Sequence, residues 1–251
     1  MDREFLKSES AVSEVIGFIL IFSIVVLAIS AIYAVGYPTI QSSKENAQFQ
    51  NMEQSFMVLQ SNINTVAFGQ APVKTLKTSL GGGSLTVYPS EGRITVSPGD
   101  WDVLIGAIEY EKNGRSIAYE GGGVWEKYPA GSAIKVSEPR IFVHEDNGDR
   151  TVSVSIINIS SENGISSVGG EGGASVVTRF NRAHTPEPDY SPGTVTITVT
   201  SYYYADAWGR YFNETLEVPV SPGPGANEVT ATIPDVDTLI VNEHVIEVEV
   251  S

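Results

Sequence analysis

Clustered carboxylate and amide oxygens in one short loop are the first candidate for chemistry in this sequence. Asp146-Asn147-Gly148-Asp149 offers oxygens that could bind Ca²⁺. The run lacks the alternate ligand spacing and the distal glutamate of an EF-hand loop, so a solvated hairpin turn is the favoured interpretation. The chain contains no cysteine and three histidines, which excludes disulfides and cysteine-based metal sites. We therefore expect no metal ion and no cofactor.

Motifs of the common enzyme classes do not occur in the sequence. There is no nucleophile elbow, no HExxH pair and no kinase motif set. The glycine runs at 81–83, 121–123 and 169–173 are not followed by the residues that a phosphate-binding loop requires. Abundant carboxylates leave a glycoside hydrolase open as an alternative. The sequence nevertheless favours a protein that is not an enzyme.

A group of aromatic residues in the last quarter of the chain could bind a sugar or a neighbouring protein. Its members are Tyr202, Tyr203, Tyr204, Trp208, Tyr211 and Phe212. Packing in a core and across strands is the favoured interpretation, because aromatic pairs commonly stabilise sheets.

Two triplets have the N-glycosylation pattern. They begin at Asn158 and Asn213, and both are usable if this part of the chain lies outside the cell. Asn213 lies in a polar break between predicted strands, which makes it the better candidate.

The last feature that could involve chemistry is a short polar segment that precedes a long apolar one, because a peptidase could cut between them. The stretch 1–10 carries Arg3 and Lys7, whereas 15–35 has no charged residue. About 20 apolar residues are what a helix needs to cross a membrane, and the basic residues place the N-terminus in the cytoplasm. Cleavage within Glu9–Glu14 would leave the apolar helix on the mature protein, unlike cleavage of an ordinary secretory signal.

Residues 11–20, AVSEVIGFIL, resemble the N-terminus of archaeal type IV pilin-like proteins, whose common form is AVSPVIGVILM followed by more apolar helix. In that family a membrane aspartyl prepilin peptidase removes the short charged leader. The resemblance covers residues 9–40 and implies cleavage between Ser10 and Ala11, with cleavage after Ala11 as the alternative. Glu14 stands where many relatives have proline. Glu14 is either a helix-compatible variant or similar to the near-terminal glutamate of bacterial pilins, whose carboxylate pairs with the free amine of a neighbouring subunit.

The resemblance also implies that the helix at 11–40 assembles with copies of this chain or with other pilin subunits. Gly17 is one of several small residues that permit close helix packing, and Val25 lies in the middle of the apolar segment. A plain single-pass anchor with an uncut leader stays open as the alternative.

The segment 41–72 reads as an amphipathic helix that packs on the domain after it. Gly36-Tyr37-Pro38 ends the apolar run, and proline kinks or breaks a helix. Beyond it, apolar residues recur at steps of three or four, which is a helical period. They are Phe49, Met52, Phe56, Leu59, Ile63 and Val66, opposite Lys44, Glu45, Gln50, Glu53, Gln54 and Gln60.

Short strands with turn signals between them fill residues 73–251. Strict alternation marks 194–200 and 244–250, while Asn113-Gly114 marks a tight hairpin turn. Continuous strands are predicted at Val103–Tyr110, Thr194–Tyr204 and Glu214–Val220. The fold class is therefore α+β, with a long transmembrane and amphipathic helix followed by a mainly antiparallel, β-sandwich-like domain.

Charge restricts the partners of this domain. The formal net charge of −15 argues against nucleic acid, because phosphate binding requires clustered Lys and Arg. The sequence thus predicts a pilin-like structural or adhesive subunit, with prepilin peptidase and the membrane as partners. Its location would be a surface filament or the cell membrane with an extracellular domain. The alternative is a membrane-anchored extracellular β domain that acts as a ligand-binding or cell-envelope module.

Overall fold

One long helix and a series of short strands make up this chain. The computed structural model describes residues 3–89, 91–99, 101–223, 225 and 227–251, with side-chain environments from residue 15 onward. Helix α1 spans Arg3–Ala67, α2 spans Ala205–Arg210, and one π-helical turn covers Tyr211–Thr215. The strands are β1 (Val73–Ser79), β2 (Gly83–Tyr88), β3 (Arg93–Ser97), β4 (Trp101–Leu104), β5 (Ala107–Lys112), β6 (Arg115–Glu120), β7 (Gly123–Lys127), β8 (Ala133–Ser137), β9 (Ile141–Asp146), β10 (Asp149–Ser160), β11 (Ser166–Gly170), β12 (Gly173–His184), β13 (Asp189–Thr200), β14 (Val220–Pro222) and β15 (Glu228–Val250).

Helix α1 continues through Pro38, where the sequence predicts a kink or a break. A proline inside a helix removes one backbone hydrogen bond. Hydroxyls beside it add bonds of their own, because Thr39 Oγ1 donates to Val35 O at 3.0 Å and Ser42 Oγ donates to Pro38 O at 3.0 Å. One helix therefore covers both predicted helical segments.

The amphipathic stripe predicted in the second half of α1 is confirmed. All six of its apolar side chains, from Phe49 to Val66, are at most 3% exposed. The chain divides into two compact units, Met1–Gln50 and Asn51–Ser251, so the last turns of α1 belong to the same unit as the strands.

Gln60 departs from the predicted polar face of α1, because it is buried. Its Nε2 donates to Gly122 O at 2.8 Å and to Glu138 O at 2.9 Å, and its Oε1 accepts from Ser137 Oγ at 2.6 Å. A buried amide is tolerated only when its polar atoms are paired, and these bonds pair both ends of the side chain. Gln60 thereby joins the helix to the β6–β7 turn and to the end of β8.

Two mostly antiparallel sheets follow the helix, as the sequence predicts. Six strands form one sheet in the order β11-β2-β5-β6-β7-β8, and nine form the other, centred on β15. β13 and β14 pair with the first half of β15, while β12 and the parallel strand β10 pair with its second half. β15 is one strand of 23 residues, and the alternating stretch 244–250 is its last part.

The two predicted hairpin turns are confirmed. Asn113 and Gly114 have φ of 55° and 76° between β5 and β6, and Asn147 and Gly148 have φ of 53° and 94° between β9 and β10. Positive φ at both central residues is the condition that favours Asn-Gly in a two-residue turn.

The single strand predicted over Val103–Tyr110 is wrong. β4 pairs in the larger sheet and β5 in the smaller one, so the chain crosses between sheets at Ile105-Gly106. Gly106 has φ of 59°, and a Cβ there would stand 2.5 Å from the carbonyl oxygen of Ile159. Only glycine satisfies this crossing without strain.

The strands predicted over Thr194–Tyr204 and Glu214–Val220 are also wrong in part. β13 ends at Thr200, a turn leads into α2, and β14 begins only at Val220. The backbone N–H of Tyr204 bonds to Ser201 Oγ at 3.1 Å, which starts the helical turns that follow. Both sheets and α2 contribute to one hydrophobic core, in which Trp125 and Trp208 have ring centroids 4.5 Å apart.

We expect Gln60→Ala to lower the free energy of unfolding by about 2 kcal/mol, because it leaves the buried carbonyl oxygen of Gly122 and the partly buried one of Glu138 without their donor. Urea denaturation of the full chain in detergent micelles measures the change. Gln54→Ala, on the exposed side of α1, is the matched control and should change stability by a few tenths of that amount. Equal losses in the two variants would contradict the role assigned to Gln60.

Candidate functional site: the apolar segment of the long helix

Apolar side chains face outward all around α1 between Val15 and Val35. A helix that is hydrophobic on every side is not stable as a water-exposed element. The fifteen large apolar residues of this segment are 44–73% exposed. They are Val15, Ile16, Phe18, Ile19, Leu20, Ile21, Phe22, Ile24, Val25, Val26, Leu27, Ile29, Ile32, Tyr33 and Val35.

The polar groups within this segment are satisfied by the helix itself. Ser23 Oγ donates to Ile19 O at 2.7 Å, and Ser30 Oγ donates to Val26 O at 2.7 Å. Hydroxyls bonded to their own helix carry no unpaired donor into an apolar medium, where such a donor costs several kcal/mol. By length and composition α1 is therefore able to cross a membrane, and Tyr33 and Tyr37 stack 5.5 Å apart near the end of the apolar run.

The predicted processing and assembly residues all fall on α1. Ser10, Ala11 and Glu14 lie within its backbone span, but their side chains are outside the described residues. Gly17 has no neighbour within 4 Å of where a Cβ would be, and Val25 is 48% exposed. Both residues therefore present open helix surface on which another helix or lipid could pack.

The two glycosylation candidates lie in different environments. Asn158 is half-buried in β10, and its Nδ2 donates to Glu243 Oε1 at 3.1 Å. Asn213 is exposed in the π-helical turn that follows α2. The amide of Asn213 is thus the more accessible of the two.

The Asp146–Asp149 run forms the hairpin turn described above. Among the described residues, no group of three or more His, Asp and Glu side chains is arranged to hold a metal ion. The sequence interpretation of this run as a turn is the one that the backbone supports.

The predicted aromatic group splits between the core and the surface. Tyr204, Trp208, Tyr211 and Phe212 are buried, whereas Tyr202 and its neighbour Tyr203 are 67% and 47% exposed. The buried members pack from a helix instead of from strands. Their spacing of three and four residues is a helical period, so the sequence did contain a signal for this helix. The interpretation as core and cross-strand packing in a sheet overlooked that signal.

A buried carboxyl that the sequence did not single out organises this core. Glu120 is 3% exposed; Trp208 Nε1 donates to its Oε1 at 2.9 Å, and Trp125 Nε1 donates to its backbone carbonyl at 3.0 Å. Desolvation raises the pKa of Glu120 to about 7, although the hydrogen bonds from Trp208 and Ser201 oppose the shift.

The pKa values of two other carboxyls, those of Glu109 and Glu91, are raised as well. Burial raises the pKa of Glu109, although the hydroxyl of Tyr204 donates to its Oε2 at 2.9 Å. Burial also raises the pKa of Glu91, and the negative charges of Glu91 and Glu109 both favour the protonated form of Glu120. In the folded chain, Glu91, Glu109 and Glu120 therefore keep their protons to higher pH than an ordinary exposed glutamate does.

Comparison with known proteins places the chain in a family. It belongs to the family of unknown function DUF7289, whose model matches residues 11–249. It is similar to an uncharacterized protein of Archaeoglobus fulgidus, with 24% identity over 249 residues and 86% of each chain covered. A second uncharacterized protein of that organism is 32% identical over 87 residues, covering 35% of this chain and 28% of the relative.

We expect the Asn51–Ser251 unit to lose stability as the pH rises, because the folded state binds the Glu120 proton more tightly than the unfolded state does. With a pKa of about 7 folded and 4.5 unfolded, the free energy of unfolding should fall by roughly 3 kcal/mol between about pH 4.5 and about pH 7. Urea denaturation across this range measures the change.

Glu120→Gln should remove most of this fall in the free energy of unfolding, because the glutamine side chain does not titrate. Its amide oxygen can still accept the hydrogen bond from Trp208, so the packing should be kept. Glu162→Gln, at an exposed glutamate, is the matched control and should leave the dependence as in the parent. An unchanged slope in Glu120→Gln would show that Glu120 does not titrate in this way.

Proposed function

We propose that this chain is a type IV pilin-like surface subunit, with a structural or adhesive role. Prepilin peptidase removes the leader between Ser10 and Ala11, and the apolar segment of α1 then assembles with the same segment of other subunits. The observation that carries the proposal is the apolar segment of α1. The helix is uninterrupted, residues 15–35 are apolar on every side, and the hydroxyls of Ser23 and Ser30 bond to carbonyl oxygens of the same helix.

The position of the family match is compatible with processing at this bond. The match begins at Ala11, the residue that would become the new N-terminus, and leaves the charged leader outside. The similar proteins come from an archaeon, and the AVSEVIGFIL resemblance is to archaeal pilin-like proteins.

The mechanism of assembly is physical. Before processing, the apolar segment lies in the bilayer with Arg3 and Lys7 on the cytoplasmic side. Removal of the charged leader removes groups that would be costly to draw through hydrocarbon. The helices then leave the bilayer together, exchanging lipid contacts for contacts with one another, with small residues such as Gly17 permitting close approach.

The remainder of the chain would form the outer face of the assembly, as an extracellular β-sandwich-like domain. Its acidic surface, in a chain of net charge −15, favours solubility at high local concentration. Asn213, exposed beyond α2, would be open to glycosylation there.

Replacing Val25 with aspartate should block membrane insertion or filament assembly. A carboxylate at the centre of a membrane helix costs about 2.5–3.5 kcal/mol on insertion scales, and more in a dry helix bundle. The measurement is the amount of protein in the membrane fraction and in sheared surface filaments of expressing cells.

Val58→Asp is the matched control, because Val58 lies on the same helix and is also 48% exposed, but it belongs to the unit that contains the strands. It should insert and assemble like the parent. Normal filaments from Val25→Asp would contradict the proposal. A parent protein that is inserted in the membrane but forms no filament would favour the alternative, a single-pass anchor for a ligand-binding or envelope domain.

A further inference from the structure

A groove of about 560 Å³ lies where the loop between β12 and β13 meets the turn between β3 and β4. Its volume is within the range of small-molecule sites. Every described residue that lines it belongs to the Asn51–Ser251 unit. The chemistry of this lining decides which ligand fits.

The loop between β12 and β13 supplies two carboxylates to the groove. Glu187 stands between Pro186 and Pro188, and Asp189 is the first residue of β13. A proline fixes its own φ and restricts the residue before it to extended conformations, so both neighbours limit the backbone of Glu187. Glu187 and Asp189 are both exposed, so their charges are within reach of a ligand that enters from solvent.

The folded chain does not neutralise these two carboxylates. Glu187 and Asp189 form no ion pair with any described lysine or arginine, and the described lining of the groove contains neither residue type. The whole chain carries 30 acidic and 15 basic residues. A cleft lined by one sign of charge concentrates ions of the opposite sign. The groove therefore favours a cation and disfavours carboxylates and phosphates.

Trp101, the first residue of β4, adds an aromatic ring to the groove. Its ring centroid lies 5.4 Å from that of His184, and a Cβ at Gly99 would stand 3.1 Å from its Cδ1. The indole thus has contacts with an imidazole and with the turn before it. Trp101 is only partly buried, whereas Trp125 and Trp208 are fully buried. Tryptophan is the aromatic side chain whose face attracts a cation most strongly.

Most of the remaining lining is apolar. It consists of Pro98, Pro186, Pro188, Leu239 and Val241. A primary ammonium is strongly hydrated and has three N–H donors that require acceptors, so an apolar wall suits it poorly. A quaternary ammonium has no N–H donor, and its methyl groups pack on aromatic and apolar surfaces. The combination of unpaired carboxylates, a tryptophan and an apolar wall therefore fits a quaternary ammonium group.

We propose that this groove binds a trimethylammonium group. The methyl groups pack on Trp101 and on the apolar wall, and Glu187 and Asp189 balance the positive charge. The site is independent of filament assembly, so it stands or falls separately from the function proposed above.

Equilibrium dialysis of the full chain, in micelles of an uncharged detergent, against labelled choline tests the site. The buffer is at about pH 8, where imidazole side chains are generally neutral. We expect a dissociation constant of about a millimolar or below. Dimethylbutanol, the neutral isostere of choline, and ethanolamine, a primary ammonium, should each compete at least tenfold more weakly.

Two variants locate the binding in this groove. Glu187→Gln combined with Asp189→Asn should weaken choline binding at least fivefold, because it removes both charges and keeps the shape of both side chains. Glu162→Gln combined with Glu214→Gln removes two exposed charges elsewhere, so it is the matched control and should bind like the parent. Trp101→Leu, which keeps an apolar side chain without an aromatic face, should also weaken binding at least fivefold.

The proposal is overturned if choline does not bind, or if the variant without the Glu187 and Asp189 charges binds it like the control. Dimethylbutanol competing as well as choline would show that the groove selects apolar shape and not charge. Ethanolamine competing as well as choline would overturn the trimethylammonium assignment. Acetyl-trimethyl-lysine amide in the same competition distinguishes the sources, because tighter binding than choline indicates a methylated protein side chain and weaker binding indicates a small molecule.

Discussion

The main physical constraint on this molecule is that the apolar segment of α1, residues 15–35, is unfavourable in water. Fifteen large apolar side chains between Val15 and Val35 are exposed in the isolated chain. Each contributes about 1.5–3 kcal/mol when it is fully buried, so the segment as a whole favours a non-aqueous environment by tens of kcal/mol. No polar bond among the described residues approaches that magnitude. By length and composition this helix is able to cross a membrane, and the internally bonded hydroxyls of Ser23 and Ser30 are compatible with an apolar environment.

The surroundings of the α1 side chains change along the helix. From Met52 onward its apolar residues narrow to a stripe, and these residues are buried within the unit that holds both sheets. Gln60 adds directional hydrogen bonds to this hydrophobic packing, which fix the position of the last turns against the β6–β7 turn and the end of β8. The Asn51–Ser251 unit also has a hydrophobic core to which both sheets contribute, and Trp125 and Trp208 of this core donate hydrogen bonds to Glu120. One continuous helix therefore carries both an exposed apolar segment and a stripe that is buried in a folded unit.

Sequence patterns predicted the elements whose causes are local. The stripe from Phe49 to Val66 and the two Asn-Gly turns depend on helical period and on positive φ, and both are readable from short windows. The crossing at Gly106 was missed because it depends on which sheet each strand joins, and that choice is made by distant residues. Gln60 reads as a surface residue until its partners at 122 and 138 are in place. The helix after β13 was missed because its aromatic residues have high strand propensity, although their spacing is helical.

The mass of the native N-terminal peptide tests the central claim most directly, because processing before the apolar segment separates a pilin-like subunit from a simple anchor. Mass spectrometry of the protein purified from its own cells should find a mature chain that begins at Ala11, or at Val12 if the alternative bond is cut, with the apolar segment retained. An intact chain beginning at Met1, or a chain that has lost residues 15–35, would contradict the account.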